Sequence, residues 1–347
     1  MPISKTHVYC ALALFATLTV TTLALGAPAA SSGKLVSFDV PGATQTLAYT
    51  INDVGQIAGY CDIGNQPHAF LRDRNGAITV FDPTRSLETL PFSINQRGQI
   101  VGSYSTSLPH KIFGFVRESD GTITTFSVPG AMYTQPAKIN NDGEIVGSYN
   151  DVNDVWHGFL RDALGNMTTF DPVGSTGTFA DSISNNGHIV GSYYDSGAVS
   201  HGFIRDVDGK FVTFDAPGAG TGQYQGTIGG DINSGGIIIG RFFASDNTFH
   251  GFIRDESGNF TDFDPPGAQG TFAFGINDAG QIVGTEERSS KPLQLGFVRD
   301  TAGNYAIFDV PGASGSGTTD QAINSKGTTT GYYVDGKNVF HGFIRYW

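Results

Sequence analysis

Cysteine is nearly absent from this chain. Of 347 residues two are cysteine. Cys10 lies in an N-terminal apolar run, so the rest of the chain holds Cys61 alone and has no internal disulfide. Cys61 stands where another repeat carries Tyr149, a place for packing rather than reactivity. Basic residues are also scarce, 20 against 32 acidic ones, for a net charge of −12. No basic cluster interleaves with aromatics, so nucleic acid and anionic membrane surfaces are not expected partners. Zinc-ligand spacing, a phosphate-cradling Gly loop and a Gly-x-Ser-x-Gly elbow are all missing. No cofactor is expected. No charge block or linker divides the chain, and few stretches read as helix.

A long apolar run occurs at the start. Lys5 is followed by a nearly uncharged stretch over 8–25, and Ala27-Pro-Ala29 fits a small-residue cleavage site. Residues 1–29 read as a secretory signal peptide. The rival is a single spanning helix, since the run approaches the length a bilayer needs; the early position and the small residues after it favour cleavage. The expected product is residues 30–347, secreted to an extracellular or periplasmic space, monomeric and free of the membrane.

What fills that product is one stretch in many copies. Residues 157–171 read His-Gly-Phe-Leu-Arg-Asp-Ala-Leu-Gly-Asn-Met-Thr-Thr-Phe-Asp, and they return at 68–82, 201–215 and 250–264. Looser copies lie at 113–127 and 295–309, with half-copies at 35–39 and 341–345. Apolar and polar residues alternate around Asp-x-x-Gly, which suits a three-residue hairpin loop with a bulge. That turn sets Arg161 opposite Met167, Gly158 opposite Phe170 and His157 opposite Asp171. A Gly in a strand costs roughly 0.5–1 kcal/mol relative to Ala, and a cross-strand aromatic covers the bare backbone.

Seven repeats follow from the markers Ile51, Ile94, Ile139, Ile183, Ile232, Ile276 and Ile323, spaced 43 to 49 residues apart. This is near the period of propeller blades. Each repeat offers four short strands: before Ile-Asn, through Ile-Val-Gly, through His-Gly-Phe, and through Thr-Phe-Asp. The fold expected is an all-β, seven-bladed β-propeller with four antiparallel strands per blade. The half-copy at 35–39 completes the last blade beside 341–345 and removes an open edge. Turns between first and second strands, and between third and fourth, keep constant length. The other loops vary: Asp215 to Asn233 spans 18 residues where 13 is usual. All the variation falls on one face, and loops on a rigid scaffold carry function.

The stretch Ile51-Asn-Asp-Val-Gly-Gln-Ile-Ala-Gly59, followed by His68-Ala-Phe-Leu71, resembles the bacterial extracellular repeat family named for its His-Ala-Phe triplet. The resemblance spans residues 35–347. One repeat has the literal triplet, four read His-Gly-Phe, and those beginning at Phe113 and Leu295 depart further. The resemblance implies an exported, propeller-like protein. It carries no catalytic residue over.

His–Asp pairs suit acid–base dyads, yet here the pair recurs five times, as His68–Asp82, His157–Asp171, His201–Asp215, His250–Asp264 and His341–Asp39. A catalytic group is needed once, so recurrence favours a cross-strand scaffold contact. The same holds for the hairpin arginines, Arg72, Arg117, Arg161, Arg205, Arg254, Arg299 and Arg345, which sit too far out to converge on an axis. Asp206-Val-Asp-Gly209 lacks the remaining ligands of a calcium loop. On the variable face, aromatics stand beside carboxylates: Trp156, Tyr194, Asp195, Tyr224, Phe243, Asp246, Tyr333 and Asp335. Such pairs suit sugar rings, and the oxygens also suit a hard cation such as calcium. The plainer reading packs these aromatics between blades. Two functions stay open: a secreted binding or adhesion module holding a polysaccharide or protein on that face, and a propeller hydrolase or lyase acting on a polysaccharide. A unique polar cluster in one sector would separate them.

Overall fold

The computed structural model describes residues 33–106, 111–289 and 292–346, and the signal expected at 1–29 lies outside them. The described residues form 28 strands and no helix. They group into seven antiparallel four-stranded units, each a meander from an inner to an outer strand. In the first unit the order is Gln45–Ile51, Ile57–Ile63, Gln66–Arg72 and Ile78–Phe81. The last unit takes its outer strand from the other end of the chain. Leu35–Phe38 pairs antiparallel with Phe340–Arg345, with Leu35 opposite Arg345 and Phe38 opposite Gly342.

The hairpin register is as the turn chemistry predicts. Asp162 and Asn166 close the three-residue loop, Arg161 pairs with Met167 and Gly158 with Phe170. The reason for the glycine is steric. A Cβ on Gly158 would meet the Phe170 ring at 2.3 Å, and Gly202 meets Phe214 in the same way. Where the ring covers Ala69 instead, in the first unit, Phe81 is still its partner. The Gly of Ile-Val-Gly has a separate cause: a Cβ at Gly59 would lie 2.0 Å from the Leu47 carbonyl of the inner strand.

Units are joined by a repeated apolar contact. The third-strand Phe of each unit, Phe159 for example, is fully buried. It meets the outer-strand Phe of the unit before it edge-on, Phe126 at 6.3 Å in this case. Phe38 does the same for Phe70, at 6.1 Å, so the N-terminal strand serves the first unit as well as the last. Burying one such ring contributes about 1.5–3 kcal/mol. The Ile-Asn marker adds a polar tie at the centre. Asn52 Nδ2 donates to the Asn95 carbonyl, Asn95 to Asn140 and Asn140 to Ser184. Asn233, Asn277 and Asn324 continue the series, and Asn324 donates to Asn52. Ser184 lacks an amide, and Asn186 bridges there to the Ser234 carbonyl.

Every inner strand carries a bulge, at the same place. The register shifts between Ala48 and Thr50, between Ala180 and Ser182, and at the equivalent step in the other five units. A bulge re-aims the extra residue. Here the extra residues are Tyr49, Phe92, Ala137, Asp181, Gly230, Phe274 and Gln321, and all seven line a central cavity of about 360 Å³.

Candidate functional site

The repeated polar residues are scaffold. All five His–Asp pairs are present, with Nδ1 to carboxylate distances of 2.6 to 2.9 Å. In four of the pairs the imidazole also packs on a second-strand ring, Tyr149 on His157 at 5.1 Å and Tyr333 on His341 at 5.0 Å for example, whereas His68 faces Cys61. Asp309, which faces Leu295 rather than a His, has a partner of its own: Thr318 Oγ1 donates to it at 2.5 Å. Thr178 does the same for Asp171. The aspartate therefore ties its outer strand to the next inner strand, whether or not a His is present. The seven arginines do not converge on the axis. Each lies over the outer-strand Phe of the preceding unit, from Arg345 over Phe308 at 4.1 Å to Arg299 over Phe263 at 5.4 Å. Six also donate to the carbonyl of the next residue, as Arg161 does to Asp162. Cys61 is fully buried beside His68, and burial pushes its thiol up to about 12.

The residues expected on the variable face divide into two groups. Asp195, Asp246 and Asp335 are turn acceptors. Asp195 Oδ1 takes the N–H of Gly197 and Val199, and Asp335 Oδ1 that of Lys337 and Val339. Asp246 Oδ1 takes the N–H and hydroxyl of Thr248. These bonds hold the three carboxyls below the usual carboxylate range. Tyr333 is buried, with its hydroxyl 2.9 Å from Ser37 Oγ, and so belongs to the join between chain ends. The other aromatics come together. Trp156 lies 5.7 Å from Phe179, Phe179 lies 6.0 Å from Tyr194, and Tyr194 lies 6.4 Å from Tyr224. Phe243 packs on Phe249, and Phe249 on Phe272, in the next units. Phe179 is the member that sequence reasoning missed.

The long loop in the fifth repeat positions Tyr224. It is tied to its own unit at both ends, through Gly220 N–H to the Phe243 carbonyl at the end of the second strand and through Gln225 Nε2 to Asn247 Oδ1 in the loop that follows. Its end reaches the preceding unit, through Tyr224 N–H to the Ala198 carbonyl. The loop thus bridges two units. Tyr224 takes a left-handed φ of 63° and is 67% exposed. The loop stops at Gln225, because Gly226–Ile232 is already the inner strand. Residues 219–225 are the loop proper, and an exchange that runs past Gln225 would cut into that strand.

The channel holds a cluster that repeats nowhere. Lys138 Nζ reaches from the third unit to Asp231 Oδ1 of the fifth at 2.6 Å, and Ser182 Oγ of the fourth donates to the same oxygen at 2.6 Å. Ile232 N–H adds to Oδ1, and Ile276 N–H of the sixth unit donates to Oδ2. Asp231 therefore knits four units together and is saturated. Asp181 is not. Its Oδ2 has no hydrogen-bond partner. The side chain is half-buried, and burial within the ring pushes the carboxyl up to about 7, with Arg241 opposing the shift. Arg241 in turn lies over Phe272, and its charge lowers the Tyr194 hydroxyl while burial raises it. A partial signal for this cluster was present in the sequence: the two residues before each Ile marker vary from repeat to repeat, while the Ile itself does not.

Comparison with known proteins supports the fold. No family model and no curated protein matches the sequence. Virginiamycin B lyase from Staphylococcus aureus is similar in structure, with 13% identity, a TM-score of 0.61, and coverage of 91% of this chain and all of that one. The BP39L lectin from Burkholderia pseudomallei gives 11% identity and a TM-score of 0.54 over 91% of this chain and 97% of the lectin. A puromycin hydrolase gives 14% and 0.54, over 84% of this chain but half of the hydrolase. The chain has a β-propeller fold.

Proposed function

We propose that this chain is an exported seven-bladed propeller that acts as a binding or adhesion module, holding a polysaccharide on its variable-loop face. Seven four-stranded units, and the ties of Asn324 to Asn52 and of Phe38 to Phe70, support the blade count and ring closure. The apolar start of the chain and the resemblance to exported bacterial repeats support secretion. The observation that carries the ligand is the run Trp156, Phe179, Tyr194, Tyr224, which ends on the one long loop. Rings in series offer faces to successive sugars, whose C–H faces stack on them while their hydroxyls reach nearby polar groups. A lectin among similar propellers fits this reading.

The hydrolase or lyase reading fares worse on that face. Glycoside hydrolysis needs a raised-pKa acid and a second carboxyl across the scissile bond. Asp195, Asp246 and Asp335 are instead committed to turn amides and pushed downward. The test is a polysaccharide array probed with the secreted protein and its Trp156→Ala variant, followed by product analysis of each hit. Binding that the variant loses, with the polymer recovered intact, is the expected result. A hit that is degraded would make the protein an enzyme, and retention by the variant would move the site away from the rings.

A further inference from the structure

The cavity along the axis opens away from the variable face, although Tyr194 of the ring series stands near its Asp181. Its rim is the constant first turn of each unit, including Asp53 and Asp278, so it opens on the opposite side of the ring. About 360 Å³ is within the range of small-molecule sites.

We propose that this channel is a second binding site, for a small organic ammonium ion that sets its cationic head at Asp181 and its carbon body against Tyr49, Phe92 and Phe274. Charge and partner accounting select that class. Lys138 and Ser182 are both spent on Asp231, and Asp231 is filled by four donors. Asp181 is half-buried in the lining: its Oδ2 is shut off from solvent and has no partner, so the rest of the carboxyl is what meets the cavity. Ala137 and Gly230, the bulge residues of the units on either side, are small, and the Lys138 side chain passes beside that level to reach Asp231. The three aromatic side chains of that level come from the first, second and sixth units. Ring faces and an acceptor-only carboxylate both favour a cation. An anion would meet Asp181, Asp53 and Asp278. A neutral sugar needs several partners, and this level's side chains offer Asp181, Gln321 and a Tyr49 hydroxyl that already bonds to Tyr60.

Proton linkage gives the idea a signature. Arg241 and Tyr194 face Asp181 from the neighbouring strands, and the Lys138–Asp231 pair lies beside its level. Burial leaves the Asp181 carboxyl near 7, so a bound cation displaces its proton. Uptake is then stronger above pH 7 than below it.

The protein is titrated with n-butylammonium and choline chlorides, and with sodium chloride, sodium butyrate and glucose as controls, by calorimetry and melting temperature. Ammonium ions should stabilise the fold, and more so on the alkaline side of 7. Asp181→Asn should weaken binding about tenfold or more and abolish the pH dependence. Ala137→Phe copies the ring that Phe92 supplies at the same level and should fill the channel without disturbing the fold. Trp156→Ala should leave ammonium binding unchanged, which separates this site from the glycan reading. Equal stabilisation by butyrate, glucose or sodium chloride, or full binding by Asp181→Asn, would overturn the proposal.

Discussion

On the perimeter, His157 faces Asp171 at 2.7 Å, and the same pair returns in four other units. At the channel wall, the seven bulge residues are Tyr, Phe, Ala, Asp, Gly, Phe and Gln. The first set stands on third strands and the second on bulged inner strands, and three-residue turns of the same kind close both hairpins. The difference lies in what each position must satisfy. A perimeter residue contacts its own hairpin and the adjacent unit, so seven equivalent surroundings call for equivalent residues. A bulge residue points into common space, where its neighbours are different side chains from other units. Repetition therefore marks what holds the ring, and its loss marks where the ring has an inside.

The most severe way to break that comparison is to remove a piece of the perimeter. Deleting residues 30–40 takes away the outer strand of the last unit. Gly342 loses its covering ring, Phe70 and Arg72 lose Phe38, and Tyr333 loses Ser37. Phe38 is partly buried, so its loss alone costs less than the ~3–5 kcal/mol of a fully buried Phe, but buried Val40 and a strand ladder go with it. Thermal melting should show a large drop or a failure to fold. A melting curve unchanged by the deletion would mean the ring does not depend on joining its ends.

Next in size is a single ring of the core. Phe159→Ala should cost about 3–5 kcal/mol by denaturant titration. Arg161→Met, which removes the cation over Phe126 but keeps most of the side chain's bulk, should cost about 0.5–2 kcal/mol. Equal losses would show that the guanidinium, rather than the Phe stack, carries the contact between units.

The channel wall behaves in the reverse sense, and pH exposes it. Asp181 has a folded pKa of about 7 against an ordinary 3.8. The folded state therefore binds its proton more tightly, so this group's contribution is full below about 4 and is lost as pH rises to about 7. Allowing for the half-buried side chain, the loss is about 2 kcal/mol. Asp181→Asn should stabilise the protein above 7 and remove this group's pH dependence, so that the difference in stability between the two proteins slopes across that window. Asp320, fully buried in the last unit and shifted upward by the same burial, adds a parallel loss that both proteins share. A difference curve with no slope between 4 and 7 would mean that Asp181 is ionised throughout.

Much of the perimeter was legible in the sequence. The Asp-x-x-Gly turn fixes hairpin register, so Gly158 opposite Phe170 follows by counting, and the half-copy at 35–39 announces its own partner. Other contacts were hidden because they cross between units. Phe126 under Arg161 and Thr318 against Asp309 join residues whose proximity depends on how one unit packs on the next. The bulge at Asp181 was hidden for a different reason. It adds one residue to an inner strand without Gly or Pro to mark it, and a strict period of two places the side chain on the wrong face. Tyr333 shows the converse. It looks like its neighbour in sequence, but Ser37 from the far end of the chain closes over it.

The smallest change in stability should come from the residue with most to say about binding. Tyr224 holds a left-handed φ of 63° with its ring 67% exposed. That conformation costs a residue with a Cβ about 1–2 kcal/mol and costs Gly almost nothing. Its N–H bond to the Ala198 carbonyl is made by backbone and survives any side chain except Pro. Tyr224→Gly should therefore leave the loop in place, with the melting point unchanged or slightly higher. Part of the relieved strain is returned as extra freedom of the unfolded chain, about 0.4–1 kcal/mol. A bridge whose only task were to link two units would gain from Gly, since every hydrogen bond of the segment remains. An exposed ring kept in a strained conformation points to contact with something outside the chain. Polysaccharide binding should then fall with Tyr224→Gly, and fall further when Trp156→Ala is added at the other end of the ring series. Binding untouched by the first change and lost with the second would confine the ligand to the third and fourth units. It would also reduce the long loop to a clasp.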